Sequence, residues 1–453
     1  MRALQLAEQA LAAARGEDAE VVVQSEVSAF ARFAASVVHQ PTLIENDVVQ
    51  LRLARDGRVG GAMTNRTGRE ALEELAARAR EAVASAPADA DFPGFAPPAE
   101  APDVGGYDEE TAGLSPEAGA WLAAAAIEAA QPFSLYGYFT SGLTELAVAA
   151  STGLALCHRA TDAEVLALAA DESASGYADR AASAVARIDP AAAAREAADK
   201  AAATRGGVQI EPGPYRAVLE PYAFAELLEY FALDSLSGLG LLDESSYFVG
   251  RLGERVFDPK ISIADDALDA AGLPKAFDFE GVPKQRVELV TEGVARGVVW
   301  DRTTAARAKD GTTSTGHALE ARYRRWGPQA LALSVASGEA GSMDALCELV
   351  GEGIYVTRVH YLSVVSPREG IVTGMTRDGT FRIRDGRRAE PLVNLRFTVS
   401  VPDVLAEVPG LTRKRSLVSR AQWYDERFAF GYTVPGIATA RFSITGNGSA
   451  PGL

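Results

Sequence analysis

Long strand-like segments, interleaved with alanine-rich helical segments, constrain the fold of the first 207 residues most strongly. Residues 20–40 and 47–65 alternate apolar and polar side chains, and the second segment contains the hairpin signal Asp56-Gly57. Residues 69–86 follow, with Ala and Leu at helical spacing among good helix formers. The pattern therefore predicts an N-terminal α+β domain over residues 1–207.

Further local signals subdivide this half. We expect a helix over residues 2–15, a helix that begins at Ser115-Pro116 with proline in its first turn, and a helix that ends at Gly206. The alternating segment between the last two helices predicts strands that turn at Gly142 and Gly153.

The second half, residues 208–453, consists mostly of short strands and turns. Asp378-Gly379 and Asp385-Gly386 are hairpin signals. Two helices are expected, one over residues 221–237 and a short one capped by Ser342. The predicted fold class is α+β, in which the N-terminal α+β domain precedes a β-rich C-terminal domain with a few helices.

The acidic charge argues against a broad nucleic-acid surface. The formal net charge is −17, which repels a phosphate backbone unless a local basic patch compensates. The candidates are short: Arg322, Arg324 and Arg325, the segment 382–388, and the segment 413–415. We interpret them as solvated loops or contacts to an anionic substrate, so no direct nucleic-acid partner is expected.

Cysteine content and hydropathy indicate the compartment. Cys157 and Cys347 lie far apart and form no CxxC motif, which favours a reducing cytoplasm and two small buried side chains. The N-terminal segment lacks the uninterrupted apolar run of a signal peptide, and no window approaches the length of a membrane helix. We therefore expect a cytoplasmic protein with no membrane partner.

Histidine is scarce. The four histidines are His39, His158, His317 and His360, and no two stand at metal-chelating spacing. His317, in the polar segment TTSTGHALE, is the best candidate for chemistry because small hydroxyls and a glycine beside a histidine are typical of a loop that lines a cleft. The alternative is a turn whose Ser and Thr side chains bond the backbone.

The segment LLEYFALD, residues 227–234, carries two carboxylates on a helix. At 100° per residue an apolar face forms from Phe224, Leu227, Leu228, Phe231 and Ser235. Glu229 and Asp234 are five residues apart and diverge by about 140° on a straight helix. Two divergent carboxylates without an imidazole make a poor zinc site, so a solvated or interface-facing helix is favoured.

Several segments together resemble the TldD/PmbA family of metallopeptidase-related proteins, once described as modulators of DNA gyrase. They are SSYFVGRLGERVFDPKISIADD (residues 245–266), FDFEGVPKQRVELVTEGVARGVVWD (residues 277–301), TTSTGHA (residues 312–318) and VVQLRLARDGRVGGAMTN (residues 48–65). The resemblance covers nearly the whole chain in order. It implies the α+β and β-rich domains expected above, assembled as dimers around an enclosed cavity.

The resemblance also implies which branch the chain falls in. TldD-type members carry HExxxH on a helix and a cysteine near the C-terminus, which bind zinc, whereas PmbA-type (TldE) members lack the motif and are the partner subunit. In this chain Glu229, Tyr230 and Asp234 stand at the positions of the first His, the Glu and the second His. The helix 221–237 is thus a degenerate metallopeptidase helix, and no metal ligand, catalytic residue or cofactor is carried over to this chain.

Three functions follow as hypotheses. The first is a non-catalytic PmbA/TldE-type subunit of a metalloprotease that acts on unfolded or small peptides; it would pair with a zinc-binding TldD-type subunit, or form a homodimer in isolation. The second is a stand-alone hydrolase with a non-zinc site built from Glu229, Asp234 and His317. The third is a peptide- or protein-binding module of the gyrase-modulator kind. The sequence leaves open whether this chain is itself an enzyme.

Overall fold

The computed structural model describes residues 1–421 and 427–448. Within these ranges it contains ten α-helices, which are α1 (Arg2–Ala13), α2 (Arg69–Ser85), α3 (Glu109–Ala112), α4 (Pro116–Ala129), α5 (Pro190–Ala203), α6 (Pro221–Ser235), α7 (Gly238–Leu242), α8 (Arg302–Ala308), α9 (Met343–Val350) and α10 (Val401–Ala406). None of the helices in these ranges combines the length and the apolar character needed to cross a bilayer.

The same ranges contain seventeen strands. The first sheet is built from β1 (Asp18–Ala34), β2 (Val37–Arg55), β3 (Arg58–Thr64), β4 (Ser134–Ala150), β5 (Ala155–Ala170) and β6 (Ser175–Ala182). The second sheet is built from β7 (Gly213–Leu219), β8 (Ile263–Asp265), β9 (Val287–Thr291), β10 (Val294–Ala295), β11 (Leu333–Val335), β12 (Gly353–Ser366), β13 (Ile371–Arg384), β14 (Arg387–Pro391), β15 (Leu395–Ser400), β16 (Gly410–Ser419) and β17 (Gly431–Asn447). The fold is therefore α+β.

The first sheet is antiparallel, in the order β3-β2-β1-β4-β5-β6, and both of its faces are buried in part. Helices α1, α2, α4 and α5 cover one face. Because side chains alternate along a strand, Val21 and Val23 of β1 join the core beneath these helices. Val22 points the other way, into a separate core that includes Phe277 from the second half of the chain.

The second sheet is a mixed sheet that closes on itself. Strand β17 pairs with β15 on one side and with β7 on the other, so β7, β12, β13, β15 and β17 form a ring of pairings. Helix α6 packs against β12 and β17 and places Phe224 and Phe231 in the largest core of the protein. The segment that joins the two sheets contains α5, and the domain boundary predicted at residue 207 stays a prediction.

The two halves meet across the polar face of the first sheet. Gln24, Glu26, Asp162 and Glu164 lie on that face and are buried. Arg427 crosses from the second half and donates from Nε to Asp162 Oδ1 at 3.0 Å and from Nη1 to Thr140 Oγ1 at 2.9 Å. Buried polar groups of this kind require such partners, since an unpaired buried charge is costly.

Most of the local sequence signals are confirmed. Asp56 and Gly57 form the turn between β2 and β3 with φ values of 51° and 70°, as a two-residue hairpin requires. Ser115 accepts a hydrogen bond from the Ala118 amide at 3.2 Å and caps α4. Ser342 caps α9 in the same way through the Ala345 amide.

Three expectations about turns and helices are wrong. Gly142 is not a turn: it lies inside β4, where it pairs with Ser28 and Asp162. Asp378 and Gly379 form an irregularity inside β13, where the buried Asp378 faces Arg358, instead of a hairpin. The described part of the second half also contains five α-helices, from α6 to α10, where two were expected.

The basic segments are engaged in structural contacts. Arg324, which was expected in a solvated loop or an anion contact, donates to Glu280 Oε1 at 2.7 Å and to Glu20 Oε1 at 3.3 Å, with its side chain 17% exposed. Arg382 pairs with Glu390 at 2.9 Å. Arg415 donates to Ser334 at 2.8 Å. The expectation is thus wrong for Arg324, whose charge holds the two halves together.

Replacement of Gly142 by alanine tests the contact between the halves. A Cβ at this position would lie 2.8 Å from Arg427 Nε and 2.7 Å from Ser28 Cβ, so it would displace the arginine from Asp162. We expect Gly142→Ala to lower the free energy of unfolding by about 1–3 kcal/mol in urea titrations. Gly341→Ala, where an added Cβ meets nothing within 4 Å, is the control and is expected to stay close to wild type; equal effects of both would contradict the prediction.

Candidate functional site

Helix α6 buries the face that its sequence predicts. Phe224, Leu227, Leu228, Phe231 and Ser235 are all 2% exposed or less. Pro221 occupies the first turn, where its missing amide costs nothing. The opposite face carries Glu226 and Glu229 and is directed at the end of strand β16.

Arg420, which follows β16, occupies the space beside the two glutamates. Its guanidinium hydrogen-bonds Glu229, and its Nη1 lies 3.8 Å from Glu226 Oε2. The three side chains are between 12% and 22% exposed. Burial raises the pKa of Glu226 to about 7, although the charge of Arg420 acts in the opposite direction.

Two acids of the first sheet approach the same place. Glu164 accepts hydrogen bonds from Tyr138 at 2.6 Å and from Ser419, the residue before Arg420, at 2.5 Å. Asp179 accepts a hydrogen bond from Tyr177 at 2.9 Å. Burial raises the pKa of Glu164 to about 7 and that of Asp179 to about 6. We call Glu164, Asp179, Glu226 and Glu229 the acidic cluster.

The acidic cluster does not fit a zinc ion. Zinc in proteins is held by imidazole, thiolate and carboxylate ligands around an open or closed tetrahedron. Here the guanidinium of Arg420 already neutralises Glu229, and a fixed cation repels a metal ion. Among residues 1–421 and 427–448 there is no group of three or more His, Cys, Asp or Glu side chains arranged to hold a metal.

Asp234 and Tyr230 border a separate cavity, although the charge of Arg420 still acts on Tyr230. Both line a small cavity of about 10 Å³ together with Val364 and Pro367. Burial raises the pKa of Asp234, and burial followed by the charge of Glu229 raises the pKa of Tyr230. The five-residue separation of Glu229 and Asp234 thus gives the two carboxylates different surroundings, as helix geometry requires.

His317 forms a buried hydrogen-bonded chain. Its Nε2 lies 2.9 Å from Asp265 Oδ1, and its Nδ1 lies 2.9 Å from Thr315 Oγ1. Asp265 also accepts from the Ala332 amide at 2.8 Å. Burial lowers the pKa of His317, whereas the pKa of Asp265 is held down by the histidine against the effect of its own burial. The neutral imidazole therefore donates from Nε2 to Asp265 and accepts from Thr315.

His317 lines a cavity between the two halves, and Asp265 lies behind it as its hydrogen-bond partner. This cavity has a volume of about 60 Å³ and lies between the two halves. The first sheet contributes Gln24, Thr144, Leu146, His158 and Asp162. The second half contributes Lys275, Lys284, His317, Arg427 and the aromatic rings of Phe277, Phe279, Phe428 and Phe430.

Two lysines face this cavity. Lys275 donates from Nζ to the Ala429 carbonyl at 2.7 Å and lies 5.0 Å from the centre of the Phe428 ring. Burial lowers the pKa of Lys275 to about 8. Burial also lowers the pKa of Lys284, which the charges of Asp265 and Asp278 partly offset. A mainly apolar and aromatic lining with a few polar groups is typical of ligand pockets.

The residues singled out from the sequence thus divide between two places. Glu229 belongs to the acidic cluster, and Tyr230 and Asp234 lie beside that cluster. His317 lines the cavity between the halves and bonds Asp265 and Thr315. The sequence reasoning missed Lys275, Lys284 and Asp265. The sequence signal for the two lysines is weak, because they lie in the irregular segment LPKAFDFEGVPK (residues 273–284), in which polar and apolar residues are mixed.

Comparison with known proteins identifies the family to which this chain belongs. The two-sheet α+β fold of this chain is shared with the solved structure of TldE from Thermococcus kodakarensis. The family model for the PmbA/TldA metallopeptidase C-terminal domain matches residues 212–446, and the model for domain 1 matches residues 19–83. The chain belongs to the TldD/PmbA metallopeptidase family.

Two curated relatives match shorter segments. An uncharacterized protein of Methanocaldococcus jannaschii is 36% identical over 102 residues, which cover 22% of this chain and 24% of that protein. The metalloprotease TldD homolog of Haemophilus influenzae is 29% identical over 113 residues, which cover 25% of this chain and 23% of the relative. This chain thus matches about a quarter of the length of each of these relatives.

Two solved structures share the fold over the whole chain. TldE from Thermococcus kodakarensis has a TM-score of 0.85 at 18% identity and covers 97% of this chain and 100% of its own. A candidate modulator of a DNA gyrase from Thermotoga maritima has a TM-score of 0.83 at 18% identity and covers 97% and 99%. At this identity the likeness shows the fold.

Removal of Arg420 tests its pairing with α6. In Arg420→Met the partly buried Glu229 carboxylate loses the guanidinium that pairs with it. We therefore expect the free energy of unfolding to fall by about 1–3 kcal/mol. The control Arg413→Met removes an exposed pair with Glu339 and is expected to change stability by less than about 0.5 kcal/mol. The double variant Arg420→Met/Glu229→Gln should recover part of the loss; equal effects of Arg420→Met and Arg413→Met would contradict the pairing.

The raised pKa of Glu226 predicts a pH dependence of stability. A carboxyl whose pKa rises from its usual 4.5 to about 7 on folding favours the protonated folded state. The contribution of the protonated Glu226 carboxyl to the free energy of unfolding is present in full below about pH 4.5. It is lost as the pH rises through about 7. Glu226→Gln should therefore gain about 1–2 kcal/mol relative to wild type between pH 5 and pH 8, measured by urea unfolding.

The matched control for this experiment is Glu339→Gln, because the Glu339 side chain is 99% exposed. Its difference from wild type should be the same at pH 5 and pH 8. A pH-independent difference for Glu226→Gln as well would refute the assignment.

Proposed function

We propose that this chain is the non-catalytic, PmbA/TldE-type subunit of a cytoplasmic metalloprotease. It pairs with a TldD-type subunit, which carries HExxxH and zinc, and the complex acts on unfolded or small peptides. In isolation the chain forms a homodimer. The proposal extends the family membership to a role for this particular chain.

The observation that carries the proposal is the ion pair between Arg420 and Glu229. The position that resembles the first zinc ligand of the family is a carboxylate, and a guanidinium neutralises it. Tyr230 stands where the general base would be, and a phenol is protonated at neutral pH and does not activate water as a carboxylate does. Both features support a chain that does not cleave peptides by itself.

The test compares the chain alone with the chain in a complex. We expect metal analysis of the purified chain to find zinc far below one ion per chain, and a fluorogenic peptide assay to find no cleavage. Co-expression with an HExxxH member from the same organism should give a complex, seen by native mass spectrometry, with peptidase activity that a chelator abolishes.

The control complex contains a partner in which the first His of HExxxH is replaced by alanine; it should assemble and remain inactive. One zinc per chain in this protein alone, or cleavage by it alone, would overturn the non-catalytic role. A failure to assemble with any HExxxH member would overturn the pairing and leave the non-catalytic role to be judged by the first two measurements.

A stand-alone hydrolase built from Glu229, Asp234 and His317 receives no support. Glu229 pairs with Arg420, Asp234 lines the small cavity, and His317 pairs with Asp265. Catalytic groups must reach a shared substrate, and these three have separate partners in the described part of the chain. A binding role is favoured instead by the cavity between the two halves.

A further inference from the structure

The cavity between the halves has an apolar body. Phe277, Phe279, Phe428 and Phe430 contribute rings to it, and Leu146 and Leu331 contribute aliphatic surface. Its volume of about 60 Å³ exceeds the roughly 10–15 Å³ that one water molecule needs, so the cavity has room for a larger group. The rings and aliphatic side chains in its walls are suited to an apolar group.

The cavity also offers the amine of Lys284, which no carboxylate contacts directly, although the charges of Asp265 and Asp278 act on it. Lys284 Nζ makes no hydrogen bond or ion pair with any residue in the ranges 1–421 and 427–448. The acids around it have other partners: Asp265 bonds His317, Asp162 bonds Arg427, and Asp278 accepts the amides of Ala318, Glu280 and Val282. An ammonium in such a place is satisfied when a ligand supplies an anion.

A hydrogen-bonding group lies on the opposite wall. His158 lines the cavity, and its Nε2 is buried without a hydrogen-bond partner among the described residues. Burial, followed by the charge of Lys275, lowers the pKa of His158 to about 4, so the ring is neutral. A buried ring nitrogen without a partner is satisfied when a ligand supplies a hydrogen-bonding group.

We propose that this cavity binds an acylated amino acid with a medium-sized apolar side chain, in which Lys284 meets the carboxylate, His158 Nε2 hydrogen-bonds the amide group, and the aromatic rings surround the side chain. The C-terminal residue of a peptide and a free N-acyl amino acid share this chemistry. The site is distinct from the acidic cluster and needs no metal ion.

Isothermal titration calorimetry on the full chain tests the ligand class. The probes are N-acetyl-leucine, the peptide Ala-Ala-Leu, its C-terminal amide, and 4-methylpentanoate, which lacks the amide N–H. We expect the C-terminal amide and 4-methylpentanoate to bind at least about tenfold more weakly than the better of N-acetyl-leucine and Ala-Ala-Leu, since each loses one interaction with a group in the cavity wall. Preference between the first two probes identifies the source of the ligand.

Variants assign the residues. Lys284→Met should weaken binding of the best probe by about tenfold or more, and Lys284→Arg should retain part of the affinity. His158→Phe should remove the preference for N-acetyl-leucine over 4-methylpentanoate. Lys309→Met, at an exposed lysine outside the cavity lining, is the control and should bind as wild type does. Thermal unfolding of each variant establishes that it is folded.

Three outcomes overturn the inference: no binding of either N-acetyl-leucine or Ala-Ala-Leu at millimolar concentration, equal binding of Ala-Ala-Leu and its amide, or unchanged affinity in a folded Lys284→Met variant. The inference extends the proposed function but is measured on this chain alone. Its failure would therefore leave the zinc and co-expression experiments untouched, and their failure would leave this one untouched.

Discussion

The buried ion pair between Arg427 and Asp162 is the interaction on which the arrangement of the two halves depends. The Arg427 side chain is 2% exposed, and it reaches Thr140 as well as Asp162. Its own backbone amide donates to Glu26, and its carbonyl accepts from Gln24. One residue of the second half thus satisfies polar groups on β1, β4 and β5, which would otherwise be buried without partners.

This interface places both sites along strand β5. His158 and Asp162 face the cavity, and Glu164, two residues further on, faces Ser419 in the acidic cluster. Alternate side chains of the same strand pack beneath α4 and α5. A change in the position of the second half would therefore alter the cavity and the acidic cluster together.

The acidic cluster buries four carboxyl groups near one another, and two effects lower the cost of their burial. Three of its four members have a pKa raised by burial, and the guanidinium of Arg420 neutralises the fourth. Proton uptake and a fixed cation both lower the cost of burying negative charge, and neither requires a metal ion.

Local sequence patterns predicted the local structure well where neighbours alone decide it. The apolar face of α6, the Ser caps and the Asp56-Gly57 turn depend on nearby residues, and each is found as expected. Gly142 and Arg324 were misjudged because their roles depend on residues far along the chain: Gly142 makes room for Arg427, and Arg324 pairs with Glu20 and Glu280. Local sequence patterns do not reveal contacts between residues that are far apart in the chain.

The sequence by itself determined the α+β class, the family resemblance and the divergence of Glu229 and Asp234, because strand alternation, motif order and helix pitch are local properties. Only the tertiary structure brought Arg420 to Glu229, Asp265 to His317, and Lys284 and His158 into one cavity. These partners are 191, 52 and 126 residues apart. The first two pairs meet through the folding of the second half itself, and the third meets because the second half covers the polar face of the first sheet.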